Sequence, residues 1–308
     1  MKPTLKIGTR ESELAVWQAT LVQELLQKNG VSSELIYIKS EGDVDTVTPL
    51  YELGVQGIFT KTLDSALLNN KIDIAVHSMK DVPTQPAKGI KQAAVLARAS
   101  YKDIFVYKES EDFLQDKDSS AVIATSSIRR KAQWLHRYPN HTIENLRGNV
   151  NTRLRKVNEN EWNGAIFAAA GLERIDLRPK NSIDLDWMLP APAQGAIMIV
   201  CKEDDNVSFE ACNLLNDNET EVCTKIERDF LRTLLGGCST PISALAQILD
   251  DTIIFKGNIC SVDGKEIFEI EKKCSVSESE LLGISAANEL LQNDIAKNII
   301  QTIRNEKK

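Results

Sequence analysis

The chain has 308 residues, 42% hydrophobic and 26% charged, with a formal charge of −7. That length and apolar content can bury a sizeable core and predict two or three domains. The acidic balance gives no sign of a nucleic-acid binder, and no apolar run is long enough to span a bilayer. Met1-Lys2-Pro3-Thr4 passes into Leu5 without the apolar core of a secretory signal, so a cytoplasmic protein is expected, partnered by neither membrane nor nucleic acid. Cys201, Cys212, Cys223, Cys238, Cys260 and Cys274 include no C-x-x-C pair, so reduced thiols are expected rather than a disulfide framework or a metal site. Arginines are uneven. Arg129, Arg130, Arg137, Arg147, Arg153, Arg155, Arg174 and Arg178 share one central segment, which suits an anionic small molecule or, for some of them, solvated helix faces.

From the N-terminus, strand and helix patterns alternate. Leu5 to Thr9 reads as strand, and Glu11 to Lys28 as helix, with apolar residues at Leu14, Trp17, Leu21, Leu25 and Leu26. Glu34 to Lys39, Phe59 to Asn69 and Ile72 to Ser78 read as strand, helix and strand. The alternation predicts a mostly parallel sheet with helices on both faces, and ligands bind such sheets outside the carboxyl ends of the strands. Arg10 and Ser12 follow the first strand, and Ser78-Met79-Lys80-Asp81-Val82-Pro83 follows the third. Pro83 holds Val82 extended, and in an irregular loop both Lys80 and Asp81 can reach a cleft. There a carboxylate can stabilise a cation or move a proton, and a lysine can bind a carboxylate. The same residues also suit a surface turn with a weak ion pair. His77, inside the strand, is expected to be packed rather than catalytic.

A second alternating unit follows Ala97. Strands are predicted at Ile104 to Lys108, Ala121 to Ala124, Thr142 to Leu146 and Ala165 to Ala169, with helices from Ser126 and Asn149. Thr125-Ser126-Ser127-Ile128-Arg129-Arg130 places hydroxyl caps and two arginines at a helix start. Positive side chains are unfavourable there unless an anion is present. Arg147-Gly148-Asn149 repeats the junction. Arg153 and Arg155 point to nearly opposite sides of the next helix, so only one should face a ligand. Gly171 and Arg174 lie just past the following strand.

Pro190 to Ala196, including Gln194, has the composition of a hinge, and Ile197 to Cys201 is expected to return to the first sheet. A charged helix, Glu219 to Leu235, then ends on Gly236-Gly237-Cys238. Paired glycines permit a sharp reversal that exposes the thiol, although a plain helix C-cap with a small apolar cysteine fits as well. Strands follow at Ile242 to Leu249, Thr252 to Ser261 and Glu266 to Ser275, joined across Val262-Asp263-Gly264-Lys265 by a hairpin signal. A helix from near Ser277 and a frayed tail from Arg304 complete the chain. The expected domains are 1–98 with 197–216, then 99–196, then a small α+β domain at 217–308.

Assembled, these residues resemble the porphobilinogen deaminase (hydroxymethylbilane synthase) family almost end to end. The match runs through Ile7-Gly8-Thr9-Arg10-Glu11-Ser12, His77 to Pro83, Thr125 to Arg130, Arg147-Gly148-Asn149-Val150, Ala170-Gly171-Leu172, Pro190-Ala191-Pro192, Gln194-Gly195-Ala196 and Gly236-Gly237-Cys238. The resemblance implies two periplasmic-binding-protein-like α/β domains with mostly parallel sheets plus a small C-terminal α+β domain. It implies a transferase of porphyrin and heme biosynthesis that condenses four porphobilinogen molecules head to tail with loss of ammonia. Hydrolysis then releases the linear tetrapyrrole hydroxymethylbilane.

The same resemblance implies a dipyrromethane cofactor on Cys238 through a thioether, and Asp81 as the catalytic carboxylate. Cofactor contacts are then Lys80, Asp81, Ser127, Arg129, Arg130 and Gly171, and substrate contacts are Arg10, Ser12, Gln18, Arg147, Arg153, Arg174 and Gln194. It selects Arg153 over Arg155, and implies a monomer with porphobilinogen as its partner and no metal. The chemistry agrees. A cationic reaction intermediate needs a nearby anion, substrate carboxylates suit planar guanidiniums, and a growing chain needs a covalent tether. Two positions depart from the family pattern: Val55-Gln56-Gly57 replaces Gly-Lys-Gly, and Ala193 replaces a common glycine. A two-lobed, non-catalytic receptor for an anionic solute is the competing reading. It leaves Cys238, Asp81 and the C-terminal domain without a role.

Overall fold

The computed structural model describes residues 4–39, 60–234 and 240–305. The Val55-Gln56-Gly57 departure and the Gly236-Gly237-Cys238 turn lie outside them. In chain order the described elements begin β1 (Leu5–Thr9), α1 (Glu13–Lys28), β2 (Ser33–Tyr37), α2 (Lys61–Leu68), β3 (Ile74–Ser78), β4 (Ile90–Val95) and β5 (Asp103–Tyr107). Next come β6 (Val122–Ala124), α3 (Ile128–Arg137), β7 (Thr142–Glu144), α4 (Val150–Glu159), β8 (Gly164–Ala168), α5 (Ala169–Glu173) and β9 (Ser182–Asp184). The last are β10 (Ile197–Lys202), α6 (Asn206–Asn213), α7 (Asn218–Thr233), β11 (Ile242–Leu249), β12 (Thr252–Cys260), β13 (Ile267–Ser275), α8 (Leu282–Leu290) and α9 (Asp294–Asn305).

Two compact units result. Of the described residues, the first holds 4–39, 60–100 and 195–222, and the second holds 101–194, 223–234 and 240–305. The first unit's sheet has the order β2-β1-β3-β10-β4. β1 pairs in parallel with β2 and β3, while β10 runs antiparallel to β3 and β4. Ile7, Ile74 and Ile199 pack against Ala19, Val22 and Leu26 of α1 and Cys212 of α6.

The second unit repeats this plan in the order β7-β6-β8-β5-β9, with β5 reversed. Each reversed strand is the first that the chain makes after passing between units, at 194/195 for β10 and at 100/101 for β5. Side-chain alternation along a strand explains the two buried faces of the second sheet. Ile104, Val106, Ala165 and Phe167 pack with Val157 of α4 and Leu172 of α5. Phe105, Ile123 and Ile166 pack on the opposite face with Trp134 of α3. Helices on both faces and sheets of mostly parallel strands are thus as expected.

A three-stranded antiparallel sheet, β11-β12-β13, completes the second unit. Phe230 of α7 meets Phe255 of β12 edge to face at 5.1 Å. The hairpin turn seats Gly264, φ +75°, where a Cβ would lie 2.6 Å from the Ala132 carbonyl of α3. Gln133 Nε2 donates to Ser243 Oγ at 2.9 Å.

Several boundaries differ from the sequence reading. α1 begins after Ser12, which occupies the N-cap, rather than at Glu11. β4, β9 and α6 carry no strong periodic signal, since β4 is rich in small and polar residues, β9 has three residues and α6 has eight. The helix expected from Ser277 is two helices, because Asn293 accepts from Ile295 N at 2.9 Å and caps the second.

Candidate active site

The first unit gathers its candidate residues at the carboxyl ends of β1 and β3. Arg10 follows β1 and is half-buried, and Ser12 caps α1, its carbonyl accepting from Val16 N at 2.9 Å. Gln18 is 2% exposed and donates from Nε2 to Ser78 Oγ at 2.8 Å, tying α1 to the end of β3. There the backbone tightens into a single 3-10 turn, Met79–Asp81, closed by Val82 N to Met79 O at 3.1 Å. Val82 is extended (ψ 128°), as the following proline requires. Met79 is buried, and its N–H reaches Ala196 O at the start of β10. Lys80 and Asp81 are half-buried on this turn. His77 is packed inside the strand, and burial, with a smaller push from the Arg10 guanidinium, lowers its pKa to about 4.

In the second unit, β6, β7 and β8 are parallel neighbours, so three arginine-bearing turns meet at one carboxyl edge. Ser127 caps α3 and accepts from Arg130 N at 3.4 Å. After β7, Arg147 is 4% exposed. Gly148 has φ +113°, and a Cβ there would lie 2.7 Å from Thr152 Cγ2. Asn149 caps α4 by accepting from Thr152 N at 2.9 Å. Arg153 is half-buried with Nε on Gly148 O at 2.8 Å, whereas Arg155 is exposed and pairs with Glu159. Gly171 lies within α5, and burial lowers the Arg174 pKa to about 10 against the opposing pull of Glu173. Arg178 belongs to the surface, bound to Glu173 and Asp184.

The residue that sequence reasoning missed is Asp103. Because β5 runs against its neighbours, its first residue lies at this same edge, where Asp103 pairs in register with Ala168. It is fully buried, and it accepts from Arg129 Nη2 at 2.7 Å and from Arg130 Nε and Nη2 at 3.0 and 2.7 Å. Arg129 Nη1 also donates to Leu189 O, and Arg130 Nη1 to Ile166 O. The anion expected beside two arginines at a helix start is therefore supplied from within the unit. Burial still lowers the Arg129 pKa, with Asp103 opposing it. Gln194, 1% exposed, points its Nε2 at the Tyr101 carbonyl and at Asp103 Oδ1, 2.8 and 2.9 Å away. The only sequence signal is a charged Lys102-Asp103 pair opening an apolar strand.

A second missed carboxylate is Glu227 of α7. It is fully buried, and its two oxygens accept from Ala193 N at 2.6 Å and Ala246 N at 2.8 Å. Ala193 has φ +62°, which explains why glycine suits that position. Cys201, Cys212 and Cys260 are buried and reduced, and burial raises their pKa values to about 11, 12 and 12. Among the described residues no cluster could hold a metal ion, and no helix is long and apolar enough to cross a membrane.

Two family models match the chain. "Porphobilinogen deaminase, dipyromethane cofactor binding domain" covers residues 5–210, and "Porphobilinogen deaminase, C-terminal domain" covers residues 221–292. A porphobilinogen deaminase of Syntrophotalea carbinolica is 40% identical over 93% of this chain and 92% of the relative. One of Acidithiobacillus ferrooxidans is 39% identical over 99% of this chain and 100% of the relative. Likeness to solved structures is fainter. The VFT2 domain of Bordetella pertussis BvgS gives a TM-score of 0.43 at 12% identity, covering 69% of this chain and 86% of that one. A score that low leaves the fold to be read from the sheets themselves.

Proposed function

Because the chain belongs to the porphobilinogen deaminase family, we propose that its own residues divide the work of that reaction as follows. The activity is head-to-tail condensation of porphobilinogen with loss of ammonia, followed by hydrolytic release of hydroxymethylbilane. The observation that carries this reading is the near-complete match at about 40% identity, which spans every turn described above.

Asp81 is the catalytic carboxylate. Its 3-10 turn is bounded by Pro83 on one side and by the Gln18–Ser78 hydrogen bond on the other, so the backbone that carries the carboxylate is fixed in place. It stabilises positive charge at the reacting carbon and moves protons to and from the pyrrole nitrogen and the leaving amine. Lys80 binds a carboxylate beside it, and Arg10 and Ser12 bind substrate at the neighbouring strand end.

The second unit's edge fits a dipyrromethane by the chemistry of its donors. Each guanidinium has five N–H groups; Arg129 uses two and Arg130 three on protein acceptors, leaving three and two for ligand carboxylates. Ser127, Arg129, Arg130 and Gly171 contact the cofactor, and Arg147, Arg153 and Arg174 serve the substrate, whereas Gln194 directs its Nε2 to Asp103 and the Tyr101 carbonyl. Bound through Cys238, dipyrromethane supplies the covalent anchor from which the pyrrole chain grows. The protein works as a cytoplasmic monomer, with domains 1–98 plus 197–216, 99–196 and 217–308.

Asp81→Asn tests the assignment, since it keeps shape and removes charge. The variant is expected to release ammonia from porphobilinogen with kcat lowered about 10²-fold or more. Near-normal kcat would move the catalytic role to another group. A non-catalytic receptor predicts no ammonia from the unsubstituted protein either.

A further inference from the structure

Two guanidiniums side by side in the first turn of a helix repel each other and the helix's own positive end. Arg129 and Arg130 nevertheless remain 4% and 6% exposed, and one carboxylate makes this possible. Asp103 takes the Nε and Nη2 side of Arg130 and one Nη2 hydrogen of Arg129, while the Ile166 and Leu189 carbonyls hold an Nη1 of each. Both planes are thereby fixed at two points before any ligand arrives. The pair with Asp103 carries one net positive charge instead of two. Gln194 Nε2 in turn donates to Oδ1 of Asp103, the oxygen that also accepts from Arg130.

We propose that Asp103 is a positioning residue for cofactor capture: it orients Arg129 and Arg130 so that their remaining N–H groups form a fixed array for ligand carboxylates. This rests on the reading of that edge as the dipyrromethane site. Gln194 then acts through Asp103, as a support for the array rather than a direct substrate contact. The advantage is preorganisation, because a planar fork already aimed loses less freedom when it binds. A carboxylate that only stabilised the fold would make a different prediction. Its loss would lower the yield of folded protein, but the molecules that did fold would capture cofactor normally.

The test compares the unsubstituted protein with Asp103→Asn and Asp103→Glu, taking only the folded, monodisperse fraction of each. Intact mass gives the fraction of molecules carrying the added dipyrromethane. The folded Asp103→Asn protein is expected to be about tenfold less loaded, the scale of one charge-assisted hydrogen bond. Asp103→Glu, which restores the carboxylate, is expected to recover at least half of the loading. Full loading of folded Asp103→Asn overturns the proposal. If Asp103→Asn yields no folded protein, Gln194→Leu decides. It removes one hydrogen bond to Asp103 and leaves both ion pairs, so severalfold lower loading is expected and normal loading overturns the proposal. An unsubstituted protein without added mass would overturn the dipyrromethane reading and this inference together, whereas a loaded one beside a fully loaded Asp103→Asn overturns the inference alone.

Discussion

His77 stands at the base of the turn that carries Lys80 and Asp81, and acid should act on that turn through it. The ring is 7% exposed, its Nε2 is buried without a hydrogen-bond partner, and its pKa is about 4 in place of the usual 6.5. That difference corresponds to about 3 kcal/mol. Above pH 6.5 the ring is neutral in both folded and unfolded chains. Between 6.5 and about 4 the unfolded chain binds a proton that the folded chain refuses, so stability falls as pH falls through this window. From pH 7.5 to 5.0 the loss assignable to His77 is about 2 kcal/mol. His77→Phe keeps an aromatic of similar size and removes the titration. Urea unfolding of both proteins at both pH values isolates the effect, because every other group, including His141 with its own lowered pKa, titrates in both. The variant should lose about 2 kcal/mol less than the unsubstituted protein over that interval, or about 4–8 °C less in Tm. Equal losses in the two proteins would refute the reasoning.

Two further substitutions probe the second unit. In Glu227→Gln only one side-chain oxygen remains to accept the N–H groups of Ala193 and Ala246, so one of them faces a donor. The expected cost is about 2–4 kcal/mol in urea unfolding, and an unchanged midpoint would mean that these bonds contribute nothing. Ala193→Gly relieves a left-handed backbone worth about 1–2 kcal/mol but adds unfolded-state entropy worth about 0.5–1 kcal/mol. A net gain between about 0 and 1.5 kcal/mol is expected, and a clear loss of stability would contradict the strain.

Local chemistry makes much of this architecture legible in the sequence. β11 spans the residues predicted from Ile242 to Leu249, because an apolar run bounded by turn residues is a local signal, and here Pro241 precedes the run and Asp250-Asp251 follows it. The end of the turn at Met79–Asp81 is legible because Pro83 holds Val82 extended. The arginine-bearing junctions are legible because hydroxyl and asparagine caps mark helix starts. What stays hidden is the partners. Asp103 is 26 residues from Arg129, and only the reversal of β5 brings it to the same sheet edge. Glu227 reads as one charge among many on a charged helix, and only tertiary packing places it against Ala193 and Ala246. Arg129 and Arg130 stand out in the sequence for the right reason, an anion at a helix start, but the anion in contact with them belongs to the protein.

The central claim is that this chain builds a tetrapyrrole on a dipyrromethane carried by Cys238, and intact mass tests it most directly. The purified protein should exceed its sequence mass by one dipyrromethane unit, proteolytic mapping should place the addition on the peptide containing Cys238, and Cys238→Ala should weigh what its sequence predicts. A fully active protein of unmodified mass would contradict the account.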